Sequence, residues 1–82
     1  MKVTVKATNW EPQQFELSHI TKNWIVLIFD EKAIIKFSRK DGYEAGAFTG
    51  RGNWNPYRIV PSELEALNKL ANSGMLKENK DD

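Results

Sequence analysis

The residues best equipped for chemistry stand together in Arg51-Gly52-Asn53-Trp54-Asn55-Pro56-Tyr57-Arg58, where two guanidinium groups alternate with an indole and a phenol. Such a loop can dock on a protein partner, its rings excluding water and its arginines pairing with carboxylates. It can equally stack on nucleic-acid bases and grip phosphates. The plain alternative is that Trp54 and Tyr57 close one end of a small core and leave the arginines in water. Local charge favours a contact surface. Residues 36–58 carry Lys36, Arg39, Lys40, Arg51 and Arg58 against Asp41 and Glu44, a net +3, and they hold all three arginines of the chain. Arg39 and Lys40 are the further phosphate contacts expected if the ligand is a nucleic acid.

The tetrapeptide Asn53-Trp54-Asn55-Pro56 has a counterpart in Asn9-Trp10-Glu11-Pro12. Trp is the commonest anchor of binding surfaces. Proline two residues later interrupts a strand, so each copy is expected where a strand ends. Trp10 therefore joins Arg51, Trp54, Tyr57 and Arg58 as a candidate partner-binding residue.

Other constellations carry less. Asp30-Glu31-Lys32 is a fragment of the pattern by which carboxylates hold Mg²⁺ beside a lysine in nucleases. It lacks a third acid at a telling distance, although Glu11 and Glu16 are available; a charged turn explains it as well. His19 is the single histidine, so no His pair can hold a metal, and an inward-facing structural role suits it. Gly50-Arg51-Gly52 is no phosphate loop, because no Gly-Lys-Ser/Thr and no helix follow it directly. No catalytic residue, metal site or cofactor is expected, and the chain does not read as an enzyme.

Size supports that reading. A chain of 82 residues is one domain that buries about 60–65% of its unfolded surface, and a deep pocket is hard to fit beside so small a core. The net charge of +1 gives no global field toward DNA or an acidic membrane. The absence of cysteine excludes a disulfide scaffold and thiolate chemistry. The alternating N-terminus is no signal peptide, and the longest apolar run, Trp24 to Phe29, is too short to span a bilayer. A cytoplasmic location is expected.

These residues must be positioned by short strands and one helix. Residues 2–8 alternate, with Val3, Val5 and Ala7 on one side. Residues 15–20 form a second strand with Phe15, Leu17 and His19 inward. Trp24 to Phe29 is apolar on both faces, as in a covered central strand, and Ala33 to Ser38 returns beside it. Asp41-Gly42 suits a type I′ hairpin turn, leading to a poor fifth strand from Tyr43 to Thr49. Residues 57–60 form a short extended segment. Pro61-Ser62-Glu63-Leu64-Glu65 opens a helix, with Ser62 as its cap and Glu65 at capping-box spacing. Leu64, Leu67, Leu70 and Ala71 form its apolar stripe, and Gly74 ends it. Residues 1–76 form the domain, and 77–82 a charged, frayed tail.

The expected fold is α+β: an antiparallel meander of about five strands with one C-terminal helix on one face, the alternative being a small barrel with a helical cap. In a meander, strands one, three and five run the same way. Their ends, with Trp10, the Asp30 turn and Trp54, should collect at one end of the sheet, opposite Trp24 and Asp41-Gly42. The functional expectation is a small non-enzymatic module that binds a protein through its Trp and Arg loops. Inhibitors, adaptors and accessory subunits, including those encoded by phages and mobile elements, take this form. Single-stranded nucleic-acid or RNA binding through the Arg51–Arg58 loop is the alternative, and a metal-dependent nuclease a distant third.

Overall fold

A computed structural model describes residues 1–7, 10–31, 33–45 and 57–79, the last of them by its backbone alone. The elements are β1 (Lys2–Lys6), β2 (Gln13–Thr21), β3 (Trp24–Asp30), β4 (Ala33–Ser38), β5 (Arg58–Ile59), α1 (Pro61–Asn72) and β6 (Glu78–Asn79). The main sheet runs β4-β3-β2-β1-β5, antiparallel at every step. It curls into a half-barrel with α1 against its concave side, so the protein is α+β as its sequence predicts.

Alternation builds the core. Val3 and Val5 of β1, Ile25 and Leu27 of β3, Phe37 of β4 and Ile59 of β5 turn inward and are buried with Leu64, Leu67 and Ala71 of α1. Val26, between two core residues, faces the other way yet is equally buried. Its partners across the sheet are His19 and Lys36.

The inward placement expected for His19 does not hold. A register shift between Leu17 and His19 inserts an extra residue and changes the phase of alternation. His19 then shares the outer face with Val26, and Ile20 takes the buried position.

The fifth strand also lies elsewhere than expected. Within Tyr43 to Thr49, Tyr43 and Glu44 make single bridges to Arg58 and Phe37; positions 46–49 lie outside the described residues. The strand that extends the sheet is Arg58–Ile59, paired with Lys6 and Val5. Ile59 is a buried β-branched anchor, whereas Ala45 offers little side chain to pack. Residues 43–45 nevertheless span the gap between the sheet's two edges. Ser38 N–H and Ala45 N–H bond to Tyr43 O and Lys36 O on the β4 side, and Glu44 N–H and Ile59 N–H to Tyr57 O and Gly42 O on the β5 side.

A type I′ turn needs positive φ at both central residues. Gly42 has φ +82°, but no residue other than glycine has a positive φ among those described. The turn closes instead with Gly42 N–H on Ser38 O at 2.8 Å. A β-carbon at Gly42 would lie 3.1 Å from Leu64 Cδ2 and 3.3 Å from Ile59 O, so the same glycine lets the turn press against α1.

The start of α1 differs from the capping box expected at Ser62. Val60 is the cap and Pro61 the first helical residue, a position where the missing N–H costs nothing. Glu63 does not fold back on the helix; its Oε1 accepts the Thr4 N–H at 2.9 Å. At the far end Gly74 has φ +81°, and the Met75 and Leu76 N–H groups return to Leu70 O, as a left-handed helix stop requires. Leu76 packs on the core. The chain then runs on as β6, parallel to Ile20–Thr21, along the part of β2 that β1 leaves uncovered. Two of the residues expected in a free tail are therefore paired; 80–82 lie outside the described residues.

Candidate functional site

The strand directions give the half-barrel two unlike ends. One gathers the loop after β1 with Trp10, the β3–β4 turn at Asp30-Glu31, and Tyr57, where the chain approaches β5. The other gathers the β2–β3 turn at Lys22-Asn23, the turn after β4 at Arg39 to Gly42, and the C-terminal half of α1. The separation of Trp10 from Trp24 and Asp41-Gly42 follows the strand parity read from the sequence. Arg51 and Trp54, with the second Asn-Trp-x-Pro copy, lie outside the described residues.

At the first end, Trp10 is 56% exposed, held by its N–H to Ala7 O at 3.2 Å. The signal missed by sequence reasoning lies at the same end of the sheet. Phe29 is 50% exposed and Ile34 55%. Phe29 leans on Phe15 with ring centroids 5.6 Å apart. Ile34 sits directly across from Ile28, itself 37% exposed. The clue was available in two neighbouring apolar pairs, Ile28-Phe29 and Ile34-Ile35. A sheet with one filled face has no inward place for both members of each pair. Asp30 and Glu31 follow Phe29 in the turn. Glu16 faces Ile28 across β2 and β3 and holds the Met1 amino group at 3.0 Å and Lys2 Nζ at 3.5 Å. The Met1 ammonium, assisted by Lys2, holds the Glu16 carboxyl below its ordinary pKa.

Two of the expected partner residues are engaged internally. Tyr57 is half-buried against the core, and its N–H donates to Glu44 Oε1 at 3.2 Å. Arg58 places its guanidinium carbon 4.9 Å from the centre of the Tyr43 ring and donates from Nε to Asp41 O at 3.2 Å. Its charge turns along the sheet toward residues 41–43 and away from Trp10.

At the second end lies an open groove of about 570 Å³ lined by Lys22, Asn23, Trp24, Ser38, Arg39, Lys40, Asn68 and Asn72. Arg39 forms its framework. Nε donates to Asn68 Oδ1 at 2.8 Å, Nη1 to Thr21 O at 2.9 Å and Glu78 Oε2 at 2.6 Å, and Nη2 to Asn72 Oδ1 at 3.1 Å. Its side chain is only 11% exposed. Of the two basic residues nominated for phosphate, Arg39 is thus occupied, and Lys40 is exposed on the rim.

Of the Asp30-Glu31-Lys32 motif, Lys32 lies outside the described residues. Among the described residues no three His, Asp or Glu side chains converge as a metal site. Asp30 Oδ1 accepts the Glu31 N–H at 2.7 Å. His19 Nδ1 lies 3.0 Å from Ser18 Oγ on the outer face. Compared with known proteins, the chain matches no family model, no curated protein and no solved structure.

Proposed function

We propose that the protein is a small non-enzymatic binding module whose partner is another protein, docked on the end formed by Trp10 and the β3–β4 hairpin. The observation that carries this reading is the exposed set Ile28, Phe29 and Ile34 with Trp10 at the same end of the sheet. Several large exposed apolar groups at one end of a small sheet favour an interaction surface over singly scattered ones. Asp30 and Glu31, both exposed in the turn next to these groups, suit the polar rim of a protein interface. Arg58, stacked on Tyr43, contributes to the framework of the surface more than to contact.

The test places a photo-crosslinking side chain at Ile34 and, as a control, at Glu65 on the outer face of α1. One discrete crosslinked protein from position 34 and none from 65, lost on adding Phe29→Asp but kept with Lys22→Ala, is the expected result. A crosslink only to a second copy of the chain would replace the reading with self-association. Equal capture from both positions, or none, overturns it.

A further inference from the structure

The groove at the opposite end has a different chemistry, and no carboxylate is among its lining residues. Three cations border it. Arg39 is neutralised by Glu78, while neither Lys22 nor Lys40 pairs with an acid among the described residues. The groove is therefore left with two uncompensated positive charges, both on exposed residues. Charges of this kind draw anions and above all phosphate.

The backbones carrying those lysines are fixed. Lys22 O accepts from Arg39 Nη1 at 3.3 Å, Lys40 N–H donates to Ser38 Oγ at 3.2 Å, and Arg39 N–H donates to Asn23 O at 3.0 Å. Arg39 thus ties the two turns together through its guanidinium and its backbone N–H, which limits the ordering cost of binding between them.

Two further groups add to this chemistry, and the first of them points beyond a bare anion. Trp24 forms one wall, and its indole is a face on which any nucleobase can stack. Asn72 has its oxygen turned to Arg39 Nη2. Only the oxygen of an amide can accept from a guanidinium, so the Asn72 amide N–H groups face away from Arg39. They are donors with no acceptor among the described residues. The volume of about 570 Å³ falls within the range of about 300–1,000 Å³ typical of small-ligand sites.

We infer that this groove binds a nucleoside phosphate, its base against Trp24 and its phosphate between Lys22 and Lys40. The nucleotide can be free or one unit of a single strand. The site lies at the far end from the apolar surface, so either assignment can fail without the other.

Fluorescence titration tests it in a Trp10→Phe/Trp54→Phe variant, which leaves Trp24 as the only indole. The probes are AMP, a short oligothymidylate and inorganic phosphate. Quenching by AMP or the oligonucleotide is expected, weakened about tenfold or more by Lys22→Ala/Lys40→Ala and by raised salt, and unchanged by Lys6→Ala. Comparable affinity for AMP and for the oligonucleotide identifies a mononucleotide site. Much tighter binding of the oligonucleotide, with a steeper salt dependence, identifies a strand site. Should the double Trp variant not fold, amide NMR shifts at Lys22, Asn23 and Lys40 of the natural chain give the same readout. Inorganic phosphate binding as tightly as AMP overturns the inference, as does the absence of any response to AMP and oligonucleotide at low salt.

Discussion

Arg39 Nη1 lies 2.6 Å from Glu78 Oε2, joining the turn after β4 to the strand that ends the described chain. The same guanidinium reaches α1 through Asn68 and Asn72 and the β2–β3 corner through Thr21 O. One side chain thus fastens four separate segments. A largely buried charge is tolerated because its donors find acceptors.

Removing it should leave those acceptors unpaired in a confined place. Arg39→Ala is expected to cost about 2–4 kcal/mol, and Arg39→Lys to recover little, because an ammonium cannot imitate the planar fork. Glu78→Gln should cost about 1 kcal/mol or less, since that carboxylate is partly in water. Urea denaturation of the three variants measures the order; an Arg39→Ala variant as stable as the parent would remove the guanidinium from its place in the fold.

The two left-handed glycines separate conformational strain from crowding. Both have φ near +80°. A β-carbon at Gly74 meets nothing within 4 Å, whereas at Gly42 it would approach Leu64 and the Ile59 carbonyl. Gly74→Ala should cost about 1 kcal/mol from φ alone. Gly42→Ala should cost more, about 2–3 kcal/mol with overpacking added, which for a domain of this size lowers Tm by roughly 10 °C or more. Equal melting temperatures for the two variants would show that the turn gives way to the added methyl.

Local pattern made most of this architecture legible. β1, β3 and β4 follow from alternation and from the doubly apolar run, and α1 from its stripe and Gly74. What pattern could not show was set by long-range pairing. Ile59 is one apolar residue in a two-residue strand, and only its partner Val5 makes it part of the sheet. The shift at Ser18 depends on β3 and displaced His19. β6 is polar, held by β2 and Arg39 and by no periodicity of its own. Of the candidate contacts, Trp10 was legible from residue type. Phe29 and Ile34 were signalled only by the pairs Ile28-Phe29 and Ile34-Ile35, and which member of each pair is core depends on the sheet's covered area. Lys22, Trp24 and Lys40 come from two turns that share a groove only after folding.

Acid should act on Glu16, whose carboxyl is held below its ordinary pKa by the Met1 ammonium and Lys2. A depressed folded-state pKa contributes stability that is complete above the unfolded value and lost as pH falls through the folded one. Carbon-detected NMR titration should find Glu16 titrating below the ordinary glutamate value of an unfolded peptide. Glu16→Gln should remove that part of the acid dependence and leave stability near pH 7 little changed, because the pair is solvent-exposed. A Glu16 midpoint equal to that of a glutamate in an unfolded peptide would mean the amino terminus is not held on β2 in solution.

The start of α1 offers a sharp test, since sequence and structure assign its cap to different residues. A serine at the cap position, replaced by alanine, typically costs about 0.5–2 kcal/mol. Ser62 is exposed, and the cap makes no side-chain hydrogen bond, so Ser62→Ala should change stability by less than about 0.5 kcal/mol. Glu63→Ala should cost about 1–2 kcal/mol, because the Thr4 N–H loses the carboxylate that satisfies it, and an unpaired, partly buried donor is costly. Glu63→Gln keeps an acceptor at the same reach and should recover most of the loss. The reverse order, with Ser62→Ala costly and Glu63→Ala neutral, would restore the capping box and detach the start of α1 from β1.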